Sequence, residues 1–384
     1  MTTDPDRIRH VLVCPQEFKG SLTGAEAAAA IAEGVRRALP DAEVVLLPMA
    51  DGGPGTVAIV AAATGGALVR HTVRGPLGTP VEAAYARVER SGAPPLAVIE
   101  AAAAAGLTLL PASDRDATRA STFGVGEQIR HAIDAGLTRI VLGVGGTATN
   151  DGGAGAAQAL GVRLLDLAGA DLPPGGIHLA RLARIEAATA ARLAAVDLSI
   201  AVDVRNVLLG DEGATAVYGA QKGLADWQAP ALEYALTRWA RTLDRDLRLD
   251  VAERPGSGAG GGLPVGLLAA MPQARIESGA ALVGDAIGLR EAIAAADLVI
   301  TGEGGLDAQT AYGKAVAHVA AVAAEMQTPC IAVAGSVDGL PVGIADAEPL
   351  ASAGASIDEA IAHATERAAD ATATVLARWL SSHP

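Results

Sequence analysis

The sequence predicts an α/β fold: a doubly wound, mostly parallel sheet domain built from both ends of the chain, with a second α/β domain inserted in the middle. Three observations lead there. Short apolar runs at 10–14, 43–48 and 297–301 each end in a polar, glycine-bearing loop and then pass toward a helical stretch. Repeated strand–loop–helix units favour parallel pairing, with the ligand edge at the carboxyl ends of the strands. The style of the first third returns in the last third, while the middle has a different texture, which marks it as the insertion. Finally, apolar residues make up 51% of the 384 positions and aromatic residues only 2%, a composition suited to a core of Ala, Val, Leu and Ile. The domains are placed at 1–75 with 290–384, and at 76–289.

In chain order, HVLVC (10–14) is the first strand, followed by the turn Pro15–Ser21. Thr23 caps the helix TGAEAAAAIAEGVRRAL, with Glu26 at the capping-box position. EVVLLP (43–48) is a second strand, running into Met49–Thr56 and then a helix through Ala63. Between Leu68 and Val98 the alternating runs LVRHTV, VEAAYARV and LAVIE, broken by Gly-Pro and Pro-Pro, predict antiparallel or mixed pairing. Residues 100–110 are predicted helical, and the polar glycine turn Ser121–Glu127 leads into EQIRHAIDAG. After the central stretch 139–161 come strands at 162–166 and 197–206, the latter ending in Asp203 and Asn206. A glycine-bounded segment carries Lys222, and a long half-exposed helix spans 227–247. GSGAGGGL (256–263) reads either as a linker or as an anion-binding start to the apolar helix that follows. The strand 297–301 runs into Gly302–Asp307, with a helix near Tyr312–Lys314, then a strand at 329–334 and a closing amphipathic helix at 356–380.

Charge and cysteine usage remove several functional classes. The net charge of −14, without a basic cluster, argues against nucleic acid as the main partner. No apolar run is long enough to cross a bilayer, and MTTDPDRIRH lacks the apolar region of a signal peptide, so a cytoplasmic protein without a membrane partner is expected. Cys14 and Cys330 are too few for a disulfide scaffold or a thiolate metal site. The lysines are informative: only Lys19, Lys222 and Lys314 occur beside 26 arginines, and each lies next to a glycine (FKG, QKG, YGK). A chain that uses Arg for generic surface charge keeps Lys where a compact, rotatable point charge is wanted.

The chain is organised around RIVLGVGGTATNDGGAGAAQALG (139–161). A buried strand runs into Gly143, Gly145 and Gly146, then Thr147, Thr149, Asn150 and Asp151, then Gly152 and Gly153 and a helix. Such a turn offers free backbone N–H groups to an anion, with side-chain donors and a carboxylate beside them. Gly143–Ala148 with Asp166 also fits a dinucleotide-binding pattern, which keeps an NAD-dependent oxidoreductase open as an alternative, although Asn150–Gly153 is a poor first helical turn. There is no G-x-x-x-x-G-K-[ST], no metal-ligand spacing of His, and no G-x-S-x-G. What remains is a set of charges in strand-end loops: Lys19, Asp51, Asp151, Asp203, Lys222, Glu303, Asp307 and Lys314. Carboxylates, lysines and glycine nests are the parts of phosphoryl transfer.

The loops FKGSLTGAEAA, PMADGGPGT, RGPLG, IEAAAAAGL, STFGVGE, LGVGGTATNDGGAG, DVRNVLLG, YGAQKG, PGSGAGGGL and ADLVITGEGGLDAQT, in this order, resemble the class I glycerate kinases from about residue 10 to the C-terminus. The resemblance implies a kinase that uses ATP and Mg²⁺ to convert D-glycerate to 2-phosphoglycerate. It also implies a Rossmann- or flavodoxin-like domain with a second α/β domain inserted, and an active site in the cleft between them. On that reading Lys19 and Lys222 neutralise charge on the acid and the transferring phosphoryl group, and Asp51 or Asp203 takes or orients the proton of the attacking hydroxyl. Asn206, Gly52, Gly53 and Asp307 hold the hydroxy acid. Gly145, Gly146, Thr147, Asn150, Gly302 and Lys314 hold the nucleotide, and Asp151 or Glu303 holds Mg²⁺. Three positions depart from the family pattern: Gln16 stands where it has Asp, Pro54 where it has Glu, and Gly305 where it has Arg. Each removes a charge from a strand-end loop, which leaves a kinase of another small hydroxy acid, or a non-catalytic ligand-binding relative, as further alternatives.

Overall fold

The apolar runs from the two ends of the chain pair in one sheet. In the computed structural model, which describes residues 8–187, 191–307, 315–350 and 361–382, the strand order is Ala347–Pro349, Cys330–Ala334, Leu298–Glu303, His10–Val13, Glu43–Leu46. Every neighbouring pair is parallel. The chain steps from the first strand to one side and returns on the other, so the topology reverses between His10–Val13 and Leu298–Glu303. That is the switch point of a doubly wound sheet, where ligands collect at the carboxyl edge. Past the strand end, Cys14 N–H donates to Ile300 O and Gln16 N–H to Gly302 O. The loop carrying Lys19 is thereby fastened at the switch point.

Helices Gly24–Ala38 and Ala364–Ser382 belong to the same unit, and their buried faces share a core with Phe18, Ile300, Val333 and Trp379. The first of them starts where its sequence says it should. Thr23 Oγ1 accepts from Glu26 N–H at 3.3 Å, and Thr23 N–H donates to Glu26 Oε2 at 2.8 Å, the reciprocal capping box. Thr23→Ala removes one side of it and is expected to lower stability by about 1 kcal/mol, measured by urea unfolding. An unchanged midpoint would contradict that.

The second unit is built on a six-stranded mixed sheet in the order Arg275–Glu277, Asp197–Ala201, Arg139–Gly143, Ala93–Glu100, Pro80–Arg90, Ala67–Arg74. Its first four strands are parallel, and its last two are added as antiparallel neighbours, as the alternating runs at 68–98 predict. Because Ala67–Arg74 pairs along its full length with Pro80–Arg90, it goes with this unit. The units divide as Met1–Asp51 with Ala280–Pro384, and Gly52–Gly279, where the sequence suggested breaks near 75 and 289.

Three further elements differ from expectation. The stretch 100–110 forms a helix only over Ala102–Ala105, with a 3₁₀ turn at Leu107–Leu109, because Gly106 is extended between them. There the backbone pairs with the glycine turn instead: Ala148 N–H donates to Ala105 O and Leu107 N–H to Gly146 O. The strand 197–206 stops at Ala201, so Asp203 and Asn206 lie in the loop beyond it. The run 162–166 pairs over Arg163–Leu165 with Arg184–Glu186 as a separate ribbon, outside the main sheet. The expected helix at 356–380 is described from Ala364 onward, and 351–360 lie outside the described residues. Cys14 and Cys330 are free and buried. Burial raises both thiols, Cys330 to about 12, so they stay protonated. No helix of the described residues is long and apolar enough to cross a membrane.

Candidate active site

In the second unit the strand Arg139–Gly143 ends and the chain turns through Val144–Gly153 before the short helix Ala154–Ala159. Thr147 to Gly153 are buried, while Gly146 is exposed. Among the described residues no acceptor takes the N–H groups of Gly145 and Gly146. The glycine run at 256–263 packs against this turn, which removes the linker reading. Gly260, Gly261 and Gly262 all take left-handed backbone angles, with φ of 58, 73 and 87°. Gly152 N–H donates to Gly261 O at 2.9 Å. A Cβ on Gly261 would collide with the Thr149 carbonyl oxygen, so the close approach demands glycine.

Two charged groups meet this turn. Asp151 is fully buried, and its carboxylate accepts from Thr122 N–H (2.8 Å), Thr122 Oγ1 (2.9 Å), Ser121 Oγ (3.3 Å), Gly153 N–H (3.1 Å) and Gly155 N–H (3.2 Å). Burial raises its pKa, and the donors from Thr122, Gly155 and Gly153 pull it back. With both oxygens taken by protein donors, Asp151 does not fit a metal ligand. It holds the turn closed against the segment Ser121–Phe123. Lys222 is 3% exposed, and its Nζ donates to Thr149 O at 2.7 Å and contacts Thr147 Oγ1 at 3.4 Å. Burial lowers its ammonium from 10.5 to about 7, with Asp151 opposing the shift. The Lys222 amine is thus set on the turn that the sequence singles out.

The other expected residues of this unit have varied surroundings. Asn150 is buried and donates Nδ2–H to Thr215 Oγ1, leaving its Oδ1 without a protein donor. Asp203 Oδ1 accepts from Ser278 Oγ (3.1 Å) and Gly279 N–H (2.9 Å). Asn206 donates one amide N–H to Glu212 O and accepts from Tyr218 OH at 2.6 Å, which orients its side chain and leaves its second N–H as a donor. Gly52 packs on Gly143 and Ala201, and Gly53 O accepts from Thr56 Oγ1 at 2.7 Å. Pro54 lays its ring beside Gly146. The sequence reading missed Glu100, whose carboxylate accepts from Val57 N–H at 2.6 Å and caps the helix Thr56–Thr64. Burial raises the pKa of Glu100. Its position at the end of an apolar strand was the available signal.

In the first unit Lys19 is exposed in the loop at the switch point, and its side chain makes no hydrogen bond or ion pair among the described residues. Its neighbour Phe18 is 2% exposed, with its ring against Gly302, as its rarity suggested. Gln16 Nε2–H donates to Asp51 Oδ2 at 2.6 Å. Glu303 is buried at the end of its strand, 7% exposed. Asp307 lies in the short strand Leu306–Asp307, and Lys314 lies outside the described residues. No group of three or more His, Cys, Asp or Glu gathers among the described residues to hold a metal ion.

The dinucleotide alternative has lost its geometry. The segment after the glycines makes only the six-residue helix Ala154–Ala159, and Asp166 caps its own turn by accepting from Ala168 and Ala170 N–H. Two α/β units with glycine-bearing carboxyl-edge turns, one seating a buried lysine, define a protein that handles small anionic ligands. The chain belongs to the glycerate kinase family, whose model matches residues 11–380. It is 44% identical to the glycerate kinase of Halalkalibacterium halodurans over 328 residues, 85% of each chain. It is 42% identical to the glycerate 2-kinase of Escherichia coli, again over 85% of each. A crystal structure described as glycerate kinase 2 from Salmonella typhimurium LT2 superposes with a TM-score of 0.83 at 41% identity, covering 98% of this chain and 99% of that one.

Proposed function

We propose that this chain is an ATP-dependent kinase that phosphorylates D-glycerate at its 2-hydroxyl. The observation that carries the reading is the buried Lys222 seated on the Thr147–Thr149 turn, in a chain of the glycerate kinase family. Lys222 neutralises charge that builds on the transferring phosphoryl group, and the N–H groups of Gly145 and Gly146 receive phosphate oxygens. Lys19 balances the carboxylate of the acid. As the substrate oxygen bonds to the γ-phosphorus and the bond to ADP breaks, the hydroxyl proton passes to a carboxylate, Asp203 or Asp51. One oxygen of Asp203 is held by two donors, and Asp51 accepts from Gln16. Mg²⁺ enters as part of the ATP substrate. Asp151, with both oxygens taken by protein donors, does not fit it, and Glu303 at the end of its strand is the carboxylate that would hold it.

The assay that tests this is ADP release across a panel of small hydroxy acids, with D-glycerate expected to turn over fastest. No turnover with any acid would leave the chain a non-catalytic ligand-binding relative. Turnover of another acid in place of D-glycerate would overturn the substrate.

The lowered pKa of Lys222 gives this reading a pH signature. The amine carries its charge below about pH 7 and loses it above. A charge-neutralising role therefore makes kcat/KM fall as pH rises through that value. Lys222→Met is expected to be slow, with that limb gone. A kcat/KM that instead rises through pH 7 would identify a neutral amine acting as base. Stability runs the other way: unfolding frees the amine to bind a proton between about pH 7 and 10.5, so the folded state gains stability as pH rises across that window.

A further inference from the structure

The second unit contains a cavity of about 270 Å³ lined largely by the loops RGPLG and STFGVGE. It is walled by the turn Gly75–Gly78 and by Arg74, Arg119, Phe123 and His178. Its volume suits a ligand of a few heavy atoms, near the lower end of small-molecule pockets. Its charge is one-sided in a chain that is strongly acidic overall. Among the described residues Arg74 is the only lining cation with an acidic partner, lying 3.4 Å from Glu127 and 4.1 Å over the Phe123 ring. The Arg119 guanidinium and the His178 imidazole make no hydrogen bond or ion pair among the described residues. Many other arginines of the chain pair with carboxylates, among them Arg87, Arg163, Arg275 and Arg378.

The helix Phe123–Asp134 begins at the cavity, and its first residue lines it. The start of that helix is already served inside the protein, Phe123 N–H donating to Ser121 Oγ and Thr122 N–H to Asp151, so the two guanidinium groups carry the attraction. A planar guanidinium presents paired donors to an oxyanion. No lysine and no acid lines the cavity, and its one link to the Lys222 turn is Ser121, whose hydroxyl donates to Asp151.

We propose that this cavity binds a small dianion, the phosphoryl group of a phosphorylated organic acid, through Arg119 and Arg74 with His178 beside them. The site is independent of the kinase reading and is tested by binding in the absence of ATP. Calorimetric titration of the full chain with sodium sulfate, balanced against chloride at constant ionic strength, is expected to show one saturable site. Arg119→Ala should weaken it at least tenfold, and Arg119→Lys should retain part of the affinity. Arg87→Ala, which removes a surface cation of the same unit paired with Glu89, should leave it unchanged. 2-Phosphoglycerate should displace sulfate, and D-glycerate at the same concentration should not. Absence of saturable binding would overturn the proposal, as would equal affinity in Arg119→Ala and in a second variant, His178→Ala. Displacement by D-glycerate as effective as by the phosphorylated acid would make this a carboxylate site and overturn the dianion.

Discussion

Replacing Lys19 by alanine is expected to lower turnover at least about a hundredfold, the scale of removing a donor to transition-state charge. The melting temperature should hardly move. Both halves follow from where the residue sits. The backbone of its loop is fastened by Gln16 N–H to Gly302 O and by the paired Phe18 and Leu22, and the buried Phe18 ring anchors the segment from below. The lysine side chain itself is exposed and contributes no packing, so its loss leaves the fold untouched. What is lost is a point charge at the carboxyl edge of the switch point. Lys19→Arg should also be slow, because a planar fork cannot replace a compact ammonium. Near-normal turnover of Lys19→Ala would reduce this lysine to a solvated turn residue.

Asp151→Ala is expected to be the most destabilising of these substitutions, by about 3–5 kcal/mol, because it strands buried donors. The N–H groups of Thr122, Gly153 and Gly155 would all lose their acceptor in a site without water access. The substitution would also leave Lys222 without the one carboxylate that favours its charge. Urea unfolding followed by tryptophan fluorescence is a direct readout, since Trp239 is buried in this unit and donates Nε1–H to Gly152 O at 3.0 Å. A variant that unfolds at the wild-type midpoint would return Asp151 to the ligand-binding role that the sequence suggested.

The features legible in the sequence are those written at short range. The Thr23–Glu26 capping box needs a spacing of three residues, and the strand–glycine–helix units need a dozen. Phe18 and Lys222 stood out because their types are rare. What escaped reading depends on partners far away in the chain. Asp151 looked like a metal ligand because nothing nearby shows that Ser121 and Thr122, some 30 residues earlier, fill its coordination. In the run at 256–263, Gly260 to Gly262 have no side chains from which to infer that they pack on residues 149–153. Glu100 passed for the end of an apolar strand because its partner Val57 lies 43 residues earlier. The division between the units was misplaced for a related reason. The alternating runs at 68–98 announce antiparallel pairing, but not that the helix before them is carried with it.

The central claim is that ATP phosphorylates the 2-hydroxyl of D-glycerate on this protein, and the ³¹P spectrum of the reaction product tests it most directly. Carbon 2 bears one hydrogen and carbon 3 bears two, so the position of the phosphate is read from the splitting of the phosphorus signal. Incubation with ATP, Mg²⁺ and D-glycerate should give ADP together with a phosphomonoester resonance split into a doublet. A triplet would put the phosphate on carbon 3, and an unchanged ATP spectrum would contradict the glycerate kinase assignment itself.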